Sequence, residues 1–365
     1  MRNGFGFVHS TTQYTQMDNN TNKDTRAENS TAQVKTTDRR FYSIMKYILL
    51  LGVAGVLLWF SFRGVSWSEF KEGLLATDYR WIVLSMVIGI LAFWLRALRW
   101  RLILLPLDAS VKRIDTWNGV NIGYLTNFAV PRAGELARCG VITAKRKMPF
   151  ETVAGTVVLE RSIDIVTLLI ASLLIFIFQW DRFGSFINRE IISSLGARFS
   201  GSLIWVAMAI ASAFVIFFYI VYKYRQSNPL FIKISKIAKG VISGIVSGFR
   251  MPQKWLFLFY TLAVWVCYWL MSYTTILAFP AVFGFDMSDA LFLAVIGSFG
   301  WVIPVQGGIG AYHFIISLAL TSIYGISQTT GMVFATISHE SQALTMVICG
   351  VIALVSVSFG AKKSK

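Results

Sequence analysis

The chain has 365 residues, 55% of them apolar or aromatic and 14% charged, with a mean hydropathy of +0.61. Soluble domains carry about 25% charged residues, so an ordinary soluble enzyme and a disordered chain are excluded and a polytopic membrane protein is indicated. The net charge of +16 would suggest nucleic acid in a soluble protein; here the basic residues cluster between apolar runs with no nucleic-acid motif, and read as cytoplasmic loops facing anionic lipid.

Each span needs about 20 apolar residues, which leaves room for roughly six to eight. Residues 1–40 are rich in Asn, Thr, Gln and Ser and lack an apolar core, so they read as a disordered cytoplasmic tail rather than a signal peptide. A start at Met45, just before the first apolar run, is the other reading. The first span is expected at 47–62, followed by a short interfacial helix at 65–77. The second begins at Trp81 and meets Arg96, Arg99 and Arg101, which are expected only to fix orientation, with Trp100 at headgroup level.

A weaker stretch, 120–130, contains Gly123 and Asn127 and stops at Pro131; it is too short to span. A longer run, 152–180, carries Glu160, Arg161 and Asp164 in its first half. Residues 203–222 form an uninterrupted span, and 229–250 an amphipathic surface helix with Lys233, Lys236 and Lys239 between its apolar positions. A full span follows at 255–279, then a short, Gly-interrupted stretch at 290–303, an apolar segment at 311–326, and a last span at 331–358 holding His339 and Glu340. Residues 361–365 form a basic tail.

Residues 96–150 hold ten Lys/Arg against three acids, and 223–254 hold seven with no acid, whereas 63–80 is balanced. The positive-inside rule therefore puts both termini and the two basic regions on the cytoplasmic side of a plasma (inner) membrane. Cys139, Cys267 and Cys349 are isolated, and there are three His, so no disulfide framework, metal site or cofactor is expected.

Two short segments end alike, Pro131-Arg132-Ala133-Gly134 and Pro304-Val305-Gln306-Gly307. By the charge argument they enter from opposite sides. Paired Gly/Pro-interrupted segments in halves of inverted topology point to a midplane transport site, because lipid cannot satisfy freed backbone. Two ordinary kinked helices are the plainer reading.

The run from Asn127 through Pro131, Arg132, Gly134, Glu135 and Arg138, followed by Leu159-Glu160-Arg161 and Asp164, resembles the membrane region of the lysylphosphatidylglycerol synthases, a flippase-like family. Gly307, Gly308 and Gly310 look like its second glycine element. The resemblance covers about residue 47 to the end. It implies a helical fold with two re-entrant segments that moves an aminoacylated lipid between leaflets, made in bifunctional members by an appended soluble domain. Here the chain stops shortly after the last apolar run, and His313 stands where relatives often carry an acid. Both departures leave the lysyl-lipid substrate open.

On a helix starting at Pro131, Arg132, Glu135 and Arg138 share one face. They are either exposed salt bridges or an arginine site for a lipid phosphate, which guanidinium groups match bidentately. Glu160, Arg161 and Asp164 lie either at the interface or in a polar groove, where Glu160 or Asp164 pairs with Arg132, Arg138 or Arg161. His313, His339 and Glu340, with Ser338 and Gln342, are headgroup hydrogen-bond candidates or inter-helix ties, and histidine chemistry admits a proton-coupled step. No phosphate loop, nucleophile elbow or H-E-x-x-H zinc motif occurs.

The expectation is thus an all-α, polytopic integral membrane protein: a flippase-like domain over 41–360 with about six full spans, two broken re-entrant hairpins and an inverted pseudo-repeat. It translocates a phosphate-bearing lipid and is not an enzyme. Its partners are membrane phospholipid or a lipid-linked headgroup, with no nucleic acid; a homo-oligomer or a partner synthase is compatible. The rivals are a membrane-embedded transferase using Glu135, Glu160 or Asp164 as base, and a non-transporting scaffold subunit.

Overall fold

A computed structural model of the chain describes residue 45 and residues 49–179, 252–282, 284–303 and 305–362. The expected polar tail 1–40, the span at 203–222, the amphipathic helix at 229–250, Pro304 and residues 363–365 lie outside these. Contacts divide the chain after Val53, and the unit Ala54–Lys365 carries the features that follow.

The described residues contain helices and turns and no strand. Helix α1 (Leu49–Phe62) bends by 90° into α2 (Trp67–Ala76) across Gly64, whose φ of 81° suits glycine. Helix α3 (Tyr79–Leu104) starts at Asp78, whose carboxylate accepts from the Arg80 N–H. Its 26 residues reach about 39 Å. It packs along α7 (Lys254–Leu277), where Gly89 admits the Met271 side chain and Ser85 donates to the Met271 carbonyl.

Helix α4 (Arg113–Ala129) begins well before the apolar stretch that announces it. Asp115 accepts from the Lys112 N–H and is clamped by Lys145 and Arg146 of α5 (Gly134–Arg146). Gly119 faces Arg138 and Gly123 faces Gly134, so α4 and α5 form an antiparallel hairpin. Asn127 Oδ1 accepts from the Gly134 N–H at 2.7 Å and closes its tip.

The helix expected from Pro131 actually begins at Gly134. Arg132 precedes it with φ 61°, left-handed backbone that no β-carbon favours. The single face expected of Arg132, Glu135 and Arg138 therefore does not form; only Glu135 and Arg138 share α5. A β-carbon on Gly134 would collide with the Gly123 carbonyl and the Asn127 amide. Gly134→Ala is accordingly expected to lower stability by about 3 kcal/mol, the upper end of overpacking costs, read as a lower melting temperature in detergent.

Helix α6 (Phe150–Phe178) is 29 residues long and carries its charges in the N-terminal half. The second hairpin pairs α8 (Met287–Val302) with α9 (Ala311–Tyr324). Asp286 caps α8 through the N–H groups of Ser288 and Asp289. Gly297 and Gly300 let Tyr312 against α8, and Phe292 meets Tyr324 nearer the base, so this hairpin too is antiparallel. Its break runs through Gly307, Gly308 and Gly310, all at positive φ.

Helix α10 (Gln328–Lys362) is the wall shared by both hairpins. Along it, Gly331 packs on Ser317 and Ser338 bonds Tyr312, then Gly350 receives Leu125 and Ser356 bonds Asn118. The order is base and tip of the second hairpin, then tip and base of the first. The hairpins therefore approach from opposite ends, and their tips meet. Phe128 abuts Gly307, the Arg132 guanidinium donates to the Val302 carbonyl at 3.0 Å, and Gln306 Nε2 lies 3.5 Å from the Ala129 carbonyl. Freed backbone at each break thus finds protein rather than lipid.

Among the described residues four helices are long and apolar enough to cross a membrane, α3, α7, α10 and the segment Gln306–Tyr324, or five if the bent α1–α2 pair is one span. That defines a polytopic helical protein.

Candidate functional site

Three helices bring their charges to one place. From α3, Arg96 and Arg99 point one turn apart; from α6, Glu160 and Asp164 lie one turn apart; α5 adds Arg138. The Arg96 Nη2 and Arg99 Nη2 groups reach Asp164 at 2.6 and 2.7 Å. Arg99 Nη2 also reaches Glu160 Oε1 at 3.0 Å, and Arg138 Nη2 reaches Oε2 at 2.6 Å. The side chains of Glu160 and Arg99 are 0% exposed. Charges at this depth are stable only when paired and bonded.

The pairing is incomplete. Among the described residues three buried guanidinium groups face two carboxylates, which leaves one positive charge without a counter-charge. At the rim Arg161 pairs with Glu135 at 2.9 Å, a balanced addition. The Nε–H groups of Arg99 and Arg138 and the Nη1 of Arg99 have no hydrogen-bond partner. The Arg138 guanidinium lies 3.9 Å over the Trp100 ring, whose own N–H donates to Thr156, so both are held in place. Tyr268 sits 3.4 Å from Arg96.

A water-sized cleft opens beside this cluster between α4, α5 and α6, lined by Gly123, Tyr124, Asn127, Glu135, Arg138 and Arg161. Gly123 and Gly134 let the two helices of the hairpin close over it.

The residues expected from sequence fall into two groups. Glu135, Arg138, Glu160, Arg161, Asp164 and Asn127 converge on the cleft and the cluster behind it. Glu160 is fully buried and Asp164 partly so, each held by arginines of neighbouring helices. Arg132 is turned away, bonded to the other hairpin. The reading of Arg96 and Arg99 as mere orientation signals is overturned: both are buried in α3 and hold the carboxylates of α6. A helix can continue past an apolar run when a partner helix supplies counter-charges. The cue was present, since Arg96 and Arg99 at i, i+3 mirror Glu160 and Asp164 at i, i+4.

The second group gathers at the other break. His339 Nε2 lies 2.8 Å from the Gly307 carbonyl and Nδ1 lies 2.9 Å from Glu340 Oε1. His313 Nε2 is 3.9 Å from the same carboxylate. Trp301 stacks on His339 at 5.0 Å, and Tyr312 bonds Ser338 at 2.8 Å with Gln342 close by. Gly307 and Gly308 supply the turn and Gly310 packs against the Ala54 carbonyl, where a side chain would not fit. Donor atoms of His313, His339 and Glu340 lie within 4.8 Å of one another. The 2.9 Å contact between His339 and Glu340 is hydrogen-bond spacing.

Two broken hairpins meeting tip to tip, with buried arginines beside one of them, define the class: a helical membrane protein built around interrupted segments. The model of the lysylphosphatidylglycerol synthase TM region matches residues 47–350, and the chain belongs to that family. Neither a curated protein nor a solved structure matches it.

Proposed function

We propose that this protein moves a phosphate-bearing lipid between the leaflets of the plasma membrane, with both termini cytoplasmic. The observation that carries the proposal is the surplus positive charge among Arg96, Arg99, Arg138, Glu160 and Asp164, buried behind a cleft that Arg138 itself lines. An unneutralised buried charge costs several kcal/mol, and a phosphate entering from the cleft would offset that cost with charge-assisted bonds to Arg138 and Arg161. The acyl tails stay in lipid. Because the cleft is only water-sized, passage requires α5 to separate from α6, which parts the rim pair Glu135–Arg161.

Of the three candidate bases for a transferase, Glu135 lines the cleft and is paired with Arg161. Both oxygens of Glu160 are occupied by arginines, and Asp164 is bonded to two. A carboxylate so engaged is poorly disposed to take a proton from a substrate. We therefore read the chain as a transporter and not an enzyme.

The test is reconstitution of the purified full chain into vesicles containing fluorescent phosphatidylglycerol, followed by a membrane-impermeant quencher. Flux predicts quenching beyond the outer-leaflet share. Quenching that stops at that share, as in protein-free vesicles, contradicts it.

A further inference from the structure

The hydrogen count at His339 is fixed by its partners. A carbonyl oxygen only accepts, so the 2.8 Å contact with Gly307 requires a hydrogen on Nε2. A neutral ring then has a lone pair on Nδ1, and that atom lies 2.9 Å from a carboxylate oxygen of Glu340. Two lone pairs are not stable at that separation without a hydrogen between them. With both contacts made as hydrogen bonds, the pair holds one proton more than neutral imidazole plus carboxylate. It is carried as imidazolium facing carboxylate, or as carboxylic acid donating to Nδ1; the count is the same.

The surroundings suit a proton that comes and goes. His339 is wholly buried, while the Glu340 side chain is 58% exposed. From α9, His313 lies 4.8 Å from the His339 ring and Tyr312 lies 5.5 Å away. From α8 the neighbour is Trp301, and from the break it is the Gly307 carbonyl. Among the described residues, the ion-pair partners of Glu340 are these two histidines.

We propose that His339 and Glu340 form a binding site for one proton, and that this proton is the coupling ion of lipid movement; the coupling rests on the transport reading above. With the proton bound, Nε2–H holds the Gly307 carbonyl and pins the second break, whose Gly307 abuts Phe128 on the first hairpin. When the proton leaves to water through Glu340, a single hydrogen remains on the ring. On Nδ1 it bonds the carboxylate and leaves Nε2 facing a carbonyl lone pair. On Nε2 it leaves Nδ1 facing the carboxylate. Either way one of the two contacts is lost, and the favoured arrangement, hydrogen toward the charge, frees Gly307. Movement of the break is thereby tied to proton release.

The experiment has two arms on the purified full chain. In micelles, infrared spectra are recorded between mildly acid and mildly alkaline pH for the native chain and Glu340→Gln. The native chain should show one ionisation of the pair that the variant lacks; identical spectral changes in both overturn the proton site, as does stoichiometric zinc bound by the native protein. In vesicles at symmetric pH, fluorescent phosphatidylglycerol flux should rise with pH by up to about tenfold per unit on the acid side of the transition and level off above it, as a one-proton equilibrium dictates. Glu340→Gln, whose amide donates to Nδ1 and fixes the pinned tautomer, should give low flux that pH does not change. Equal pH dependence in both chains overturns the coupling. Absence of flux from the native chain overturns the transport reading instead, while the infrared arm still decides the proton site.

Discussion

Glu160→Ala is expected to leave little folded protein. Its carboxylate sits with 0% exposure between Arg99 and Arg138, with Arg96 Nε at 3.1 Å. Removing it leaves three guanidinium groups around a cavity, with Asp164 the acid left among them. Deleting one partner of a buried ion pair costs about 3–5 kcal/mol, and native stabilities are about 5–15 kcal/mol. Thermal melting in detergent should show the midpoint collapse. Adding Arg138→Met to the variant removes the guanidinium that loses its only carboxylate, so the double variant should recover part of the loss. A double variant that loses the sum of the two single effects would show that the residues do not interact.

Arg138→Gln should separate folding from function. The change leaves Arg96 and Arg99 against Glu160 and Asp164, a balanced set in which Glu160 keeps Arg99. The glutamine amide retains a donor for Oε2. Stability should therefore change by no more than about 1–2 kcal/mol, the scale of one charge-assisted bond exchanged for a neutral one. On the proposed transport reading the surplus charge holds the lipid phosphate, so its loss removes a charge-assisted contact of about 1.5–3 kcal/mol. Vesicle flux should fall by about ten- to hundredfold while the melting temperature drops by no more than a few degrees. Native flux in Arg138→Gln would detach the surplus charge from transport.

The long helices α3, α7 and α10 were legible because an uninterrupted apolar run has one inexpensive solution in lipid. The two breaks were legible from Pro131 and the glycines at 307, 308 and 310, residues that end or bend a helix. What lay beyond a one-dimensional reading was partnership. The first turns of α4 hold buried Asp115 and Asn118, which precede the apolar stretch at 120–130; α5 returns with Lys145 and Arg146 to clamp Asp115. Arg96 and Arg99 read as interfacial for the same reason, since their counter-charges lie some sixty residues away on α6. Pro131 suits the first position of a helix, and nothing in its neighbours announces that Arg132 takes φ 61°. The histidines 313 and 339 were visible singly, but their shared carboxylate and the Gly307 carbonyl emerge only when α9 and α10 pack.

The most direct test is to see where a lipid phosphate rests. Cryo-electron microscopy of the full chain in phosphatidylglycerol nanodiscs should show phosphate density within about 3 Å of the Arg138 or Arg161 guanidinium, with α5 drawn away from α6. Headgroup density confined to the bilayer rim, beside an arginine cluster still closed as described here, would contradict the account.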